Sequence, residues 1–360
     1  MIKNLNFKNF RGFKEIALSD CKQITLISGK NNAGKSSLLE GIFLLFDHLA
    51  PEVFMKINRI RGLPLNTDPS SLWESLFYNM DTNNPLIISM TYDNMPMTLS
   101  YTRDNSFIPS FATEDNIPVE EINQFLSSAK SAYTLKFEFK KETLDYNEVG
   151  YFVTSPKGIL RNMNPINNNR QLEPMPFTQY INSSIVSTDG IIIEWMSKLE
   201  LQGKKQAVVD ILKIVDSSIS DITTIAINGQ IQLYAKIKER LLPLKVAGDG
   251  LNKLLFIILA ILVNPNSVIL IDEIETGFHY STYIQLWEAI TVAAKENNCQ
   301  IIATTHSYEC IVSAIDGMEN AGATEDFCYF RINKNNNNTI AYRYSNELLR
   351  TAITTDMEVR

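Results

Sequence analysis

One eight-residue stretch constrains this chain more than any other: Gly29-Lys30-Asn31-Asn32-Ala33-Gly34-Lys35-Ser36. It follows a short apolar run, Ile24 to Ser28. It precedes Ser37 to Phe46, whose apolar residues form a helical stripe. Strand, glycine-bounded loop and helix, in that order, make a cradle for phosphate. Glycines let the backbone curl until successive N–H groups point at phosphate oxygens. The helix N-terminus adds a positive partial charge. Lys35 offers a point charge to the outer phosphates, and the Ser36 hydroxyl suits Mg²⁺. Asn31, Asn32, Ala33, Gly34 and Ser37 are the remaining expected contacts. A chance Gly-Lys loop is the competing explanation of the pattern taken alone.

A second segment answers the first. Val268-Ile269-Leu270-Ile271 is a wholly apolar strand that ends in Asp272 and Glu273. Two carboxylates at the edge of a buried strand are costly unless a cation or substrate meets them. Asp272 is the expected Mg²⁺ holder, and Glu273 the group that orients and polarises an attacking water. A solvated strand end is the bland alternative. The next apolar strand, Gln300 to Thr304, runs into Thr305-His306-Ser307, which sets His306 within reach of a terminal phosphate. His279, in Gly277-Phe278-His279-Tyr280, is a weaker candidate for a position across a dimer interface. For both histidines a purely structural role competes.

Between these segments the pattern changes. Residues 50–80 read as irregular, broken by Pro51, Pro64 and Pro69. From about 86 to 155 several runs alternate in hydrophobicity, as in an antiparallel meander. Residues 161–175 read as a surface loop, 190–220 as helical, and 222–246 as a hairpin centred on Asn228-Gly229. After Gly250 helices and apolar strands alternate, which implies a sheet buried on both faces. The fold expected is α/β, a P-loop NTPase with a mixed sheet, an antiparallel β-meander and an inserted helical lobe. Residues 1–80 and 240–360 form its core, and 81–239 the insert.

Composition excludes more than it selects. The chain has 360 residues, 45% hydrophobic and 20% charged, which is globular rather than disordered. A net charge of −7 argues against wholesale wrapping of nucleic acid but leaves room for a local basic patch. Cys21, Cys299, Cys310 and Cys328 show no metal-binding spacing and read as reduced thiols of a cytoplasmic protein. The N-terminus is not a signal peptide. The longest apolar run, Leu254 to Val263, is far short of the ~20 residues of a membrane-spanning helix.

Asn9-Phe10-Arg11-Gly12-Phe13 ahead of the loop, the Leu270-Ile271-Asp272-Glu273 strand end and Thr304-Thr305-His306-Ser307 together resemble the soluble ABC-type ATPases. These are the RecF, Rad50 and SMC heads, the ATPase part of OLD-type proteins, and above all the AAA_15-type ATPases, many of them from bacterial defence systems. The resemblance covers 1–80 and 240–360 well and the middle only in its order of elements. It implies ATP and Mg²⁺ as cofactors, ATP hydrolysis, and a site shared between two copies of the chain. It implies a nucleotide contact for Arg11. It also implies that Val246-Ala247-Gly248-Asp249-Gly250-Leu251-Asn252-Lys253 is the signature segment, with Gly248 and Gly250 capping a partner's nucleotide. Here Ala247 replaces the usual serine and Asp249 adds a negative charge. No glutamine fits the position of the family's Q-loop.

No coiled-coil insertion is present, and the stretch after His306 is too short for a TOPRIM nuclease domain. The function expected is that of a sensor or switch ATPase controlling a separate effector protein, nuclease or toxin-like, in antiphage defence. The alternative is a RecF-like repair ATPase that binds DNA directly, with Lys3, Lys8, Lys14 and Lys22 or Lys136, Lys140 and Lys141 as phosphate contacts. A membrane transporter's energising subunit fits least.

Overall fold

The computed structural model describes residues 1–62, 71–104, 133–144, 146–155, 158–163, 175–182, 189–335, 338–355 and 357–359. The core sheet has the order β16-β15-β3-β14-β13-β9. Its middle is parallel. β3 (Ile24–Gly29) lies between β14 (Gln300–Thr304) and β15 (Phe327–Asn335), and β14 pairs with β13 (Val268–Ile271). β16 (Asn338–Tyr344) closes one edge as an antiparallel partner of β15, and β9 (Thr178–Ile181) closes the other beside β13. The two late strands meet at the asparagine tract, Asn335 facing Asn338, while positions 336–337 lie outside the described residues.

The apolar strands are buried on both faces because successive side chains feed two different cores. Ile24, Leu26, Ile269, Ile271, Ile301 and Ala303 enter one cluster; Ile27, Val268, Leu270 and Ile302 enter the other. Each fully buried large aliphatic side chain contributes about 1.5–3 kcal/mol. Helix α1 (Lys35–Phe46) covers one face. Helices α4 (Asp189–Leu201), α5 (Lys205–Val215), α7 (Asp249–Val263), α8 (Tyr283–Glu296) and α9 (Tyr308–Asn320) cover the other. α10 (Asn346–Thr354) flanks β15 and β16.

A second sheet runs β2-β1-β4-β5-β6-β7-β8. It joins the N-terminal hairpin, β1 (Ile2–Phe10) and β2 (Phe13–Leu18), to the expected meander: β4 (Leu86–Tyr92), β5 (Met95–Arg103), β6 (Tyr133–Lys141), β7 (Tyr146–Ser155) and β8 (Gly158–Met163). Residues 81–239 thus contribute strands to both large sheets. They also carry α4, α5 and most of a third sheet, in which β10 (Ile219–Ile227) and β11 (Gln230–Ile237) meet at Asn228-Gly229 and β12 (Arg240–Pro243) follows.

Residues 50–80, read as irregular, include α2 (Val53–Ile60) and the single turn α3 (Ser71–Glu74). Pro51 precedes the first turn of α2, where a missing N–H costs nothing. Val53, Phe54 and Ile57 pack into the core from one side of it. Of the loop expected over 161–175, positions 164–174 lie outside the described residues. The four cysteines are free and buried. Among the described residues no helix is long and apolar enough to cross a membrane.

Candidate functional site

The loop between β3 and α1 turns on three left-handed residues, Gly29 (φ 148°), Asn32 (φ 61°) and Gly34 (φ 101°). A Cβ on Gly29 would stand 2.5 Å from the Ile332 carbonyl oxygen, and one on Gly34 2.3 Å from the Phe13 ring. Glycine is therefore demanded by contact as well as by conformation. Lys35 is 4% exposed. Its Nζ donates to the loop's own carbonyls, Gly29 O at 2.7 Å and Lys30 O at 3.3 Å, and stands 3.2 Å from His306 Nδ1. Burial pushes the lysine down to about 8, against the pull of Asp272, Glu275 and Glu273.

The parallel pairing β3-β14-β13 brings the three predicted segments to one sheet edge. Asp272 and Glu273 leave β13 as His306 leaves β14. Thr304 ties them together. Its hydroxyl accepts the Glu273 N–H at 2.9 Å and donates to Asp272 Oδ1 at 2.5 Å. The Tyr180 hydroxyl, on β9, donates to Asp272 Oδ2 at 3.3 Å. Burial, and then the charge of Asp272, hold that phenol protonated, well above its usual range. Glu273 Oε1 lies 3.8 Å from His306 Nε2. His306 is kept below the ordinary histidine range, first by burial and then by the Lys35 charge. The main-chain N–H of His306 donates to Glu275 Oε1 at 2.7 Å, while Glu275 Oε2 is buried with no partner among the described residues. The chain that continues from β9 places Asn182 at this same edge, since Asp272 N–H donates to Ile181 O at 2.7 Å.

Arg11 and Arg61 form the opposite wall. Both grip Glu40, a wholly buried carboxylate on α1: Arg11 Nε at 3.1 Å, Arg61 Nε at 2.6 Å and Arg61 Nη2 at 3.1 Å. Arg61 Nη2 also donates to Ser37 Oγ at 3.0 Å, and Arg11 Nη1 reaches Ser75 O and Oγ at 3.0 Å each. The two guanidinium groups shift in opposite directions. Burial lowers Arg11. Burial also pulls on Arg61, but the charge and hydrogen bonds of Glu40 outweigh it and raise the group. Arg11 Nη2 is buried with no partner among the described residues.

These walls border an open cavity of about 1100 Å³. Arg11, Asn31, Asn32, Gly34, Lys35, Ser36 and Ser37 line it, together with Glu273 and His306. Ala33 and Asp272 are buried, Asp272 to 8% exposure, and neither lines it. Gly248 and Gly250 are not brought to it. They line a separate depression of about 380 Å³ with His279, whose ring accepts from Ser281 N–H to cap a short turn. Reading the sequence missed Glu40, Arg61, Tyr180, Thr304 and Glu275. Only Glu40 carried a signal, a lone carboxylate inside the apolar run Leu38 to Phe46.

The site's polarity fits Mg-nucleotide. Arg11, Lys35 and Arg61 supply positive charge, and Ser36, Asp272 and Glu273 offer a hydroxyl and carboxylates, the oxygen donors that Mg²⁺ takes. The lysines weighed as DNA contacts are partly engaged elsewhere. Lys8 pairs with Glu15 at 3.2 Å, Lys22 with Asp20 at 3.9 Å and Lys140 with Glu138 at 2.9 Å, and Lys141 is buried.

Comparison with known proteins finds relatives of most of the chain and of parts of it. The AAA_15 model, described as an AAA ATPase domain, matches residues 1–172 and 178–311. An "ATP/GTP phosphatase" of Helicobacter pylori is 31% identical over 327 residues, 86% of each chain. A RecF DNA replication and repair protein of Idiomarina loihiensis is 52% identical, but over 44 residues, 12% of each chain. Among solved structures, an SMC head bound to the C-terminal winged-helix domain of ScpA superposes with a TM-score of 0.51 at 14% identity, covering 96% of this chain and 98% of that one. That likeness is one of fold alone.

Proposed function

The chain belongs to the AAA_15 family of AAA ATPase domains, and from that premise we propose that it hydrolyses ATP in an Mg²⁺-dependent reaction at a site completed by a second copy of itself. The observation that carries the proposal is the meeting of Lys35, Glu273 and His306 at one cavity, with Nζ 3.2 Å from Nδ1 and Oε1 3.8 Å from Nε2. The loop amides, Lys35 and Ser37 hold the phosphates, and Arg11 holds the nucleotide from the facing wall. Ser36 and Asp272 would hold Mg²⁺, Asp272 through water, since its two oxygens already accept from Thr304 and Tyr180. Bound Mg²⁺ offsets phosphate charge. Glu273 orients the attacking water and takes its proton, and neutral His306 donates to the terminal phosphate.

Gly248 and Gly250 lie outside the cavity of their own chain. An α7 N-terminus with a glycine at φ 118° is suited to cap phosphate presented by a partner. Closure of the dimer on ATP would then be the signal that a cytoplasmic switch passes to a separate effector, nuclease or toxin-like. The setting in antiphage defence rests on the family resemblance. The short RecF likeness favours direct DNA binding as the second reading, and the paired lysines weigh against it.

Light scattering after size exclusion on Glu273→Gln, with and without Mg-ATP and with the neighbouring gene product, separates these readings. ATP-driven dimers that retain the partner support the switch. Monomers that bind DNA with a steep salt dependence support the second reading. Equal phosphate release by Glu273→Gln and wild type refutes the assigned base, and turnover that survives EDTA refutes the Mg²⁺ dependence.

A further inference from the structure

Lys253 has no part in the chemistry above, yet it is 2% exposed, and a buried ammonium needs partners. It sits on α7, one turn beyond Gly248 and Gly250. Its Nζ donates to the main-chain carbonyls of Glu273 at 2.7 Å and Thr276 at 3.1 Å. Burial pushes it down to about 8, opposed by Glu275, Glu273 and Asp272.

Those two carbonyls bound the turn that carries the candidate base. Glu273 is left-handed, with φ 47°. A residue with a Cβ held there is strained and persists only where its surroundings fix it. Thr304 fixes the N–H side of the turn, and Lys253 the carbonyl side. The same helix touches the turn again at Gly250, where a Cβ would stand 2.6 Å from the Gly277 carbonyl oxygen.

We propose that Lys253 is a positioning residue that clamps the Glu273–Gly277 turn to α7, so that the direction of the Glu273 carboxylate and the placement of the Gly248–Gly250 segment are set together. The proposal rests on the reading of Glu273 as the base. Without the clamp, Glu273 relaxes toward an ordinary φ and its carboxylate leaves the neighbourhood of His306. A displacement of about 1 Å at such a group costs about 10²-fold in rate.

The test uses the full chain carrying Lys253→Met or Lys253→Arg, each with Glu273 intact or as Glu273→Gln. Phosphate release at saturating Mg-ATP, affinity for a fluorescent ATP analogue and thermal melting are measured. Lys253→Met is expected to lower kcat by about 10–10²-fold with analogue affinity within about threefold, and to add nothing in the Glu273→Gln background. Lys253→Arg, which can reach the same carbonyls, is expected to restore part of the rate. Wild-type turnover in Lys253→Met overturns the proposal, as does a loss of equal size in the Glu273→Gln background. If Glu273→Gln alone keeps wild-type turnover, the base assignment has failed and the proposal falls with it. Should Lys253→Met not fold, Lys253→Arg with Gly250→Ala carries the test. The added methyl must push the turn, so normal kcat in Gly250→Ala overturns the clamp.

Discussion

Replacing Glu40 by leucine tests whether the arginine wall is held from beneath. The carboxylate is fully buried and accepts three N–H bonds, one from Arg11 and two from Arg61. Removing one partner of a buried ion pair costs about 3–5 kcal/mol, because the charge left behind is uncompensated. The two arginines do not share that cost equally. Arg61 has a side chain 37% exposed and can turn to water. Arg11 has a side chain 7% exposed and already carries one buried nitrogen without a partner. The loss is therefore expected near the lower figure, about 3 kcal/mol. Urea unfolding followed by tryptophan fluorescence, without nucleotide and at fixed salt, reads it as a lowered midpoint at constant slope. Adding Arg11→Leu removes the stranded cation and should recover more than about 1 kcal/mol. A Glu40→Leu protein within about 1 kcal/mol of wild type, or a double variant no more stable than the single one, refutes the reasoning.

Other consequences can be read at the bench. Lys35→Ala is expected to weaken ATP binding itself by calorimetry, whereas Glu273→Gln should bind ATP and retain it. Phosphate needs the protonated lysine. With Lys35 at about 8 in the free protein, ATP affinity should fall by about tenfold per unit as pH rises beyond that value, and Lys35→Ala should flatten this dependence. An affinity rising with pH there would contradict the assignment. Thr304→Val leaves the part-buried Glu273 N–H without its hydroxyl partner and releases Asp272 Oδ1; phosphate release is expected to drop by about tenfold or more with ATP affinity nearly kept.

What the sequence disclosed and what it hid divide along chain separation. The phosphate loop was legible because its chemistry is packed into consecutive residues, and the acidic strand end because apolar residues run straight into two carboxylates. Both predicted segments and His306 do meet at one cavity. The groups that hold them in place have partners elsewhere along the chain: Glu40 and Arg61 are 21 residues apart, Tyr180 and Asp272 92, Thr304 and Asp272 32, Lys253 and Glu273 20. No spacing rule links such pairs. β9 escaped notice because Thr178–Ile181 is four residues long and half polar, so its strand state comes from docking on β13. α2 was obscured by flanking prolines that in fact stand outside it.

The position of β3 governs how the protein can be made. Its two neighbours, β14 and β15, come from the last third of the chain, and Lys35 meets a histidine 271 residues downstream. At about 5–20 residues per second of synthesis, the loop emerges roughly a quarter of a minute to a minute before the strands that flank it. During that interval the second sheet can already pack on α1, but β3 and the α1 face toward the core sheet lack their neighbours, which exposes the nascent chain to aggregation. Loading with nucleotide must therefore follow synthesis of β14 and β15, and a product that stops short of Gln300 carries the motif without the site.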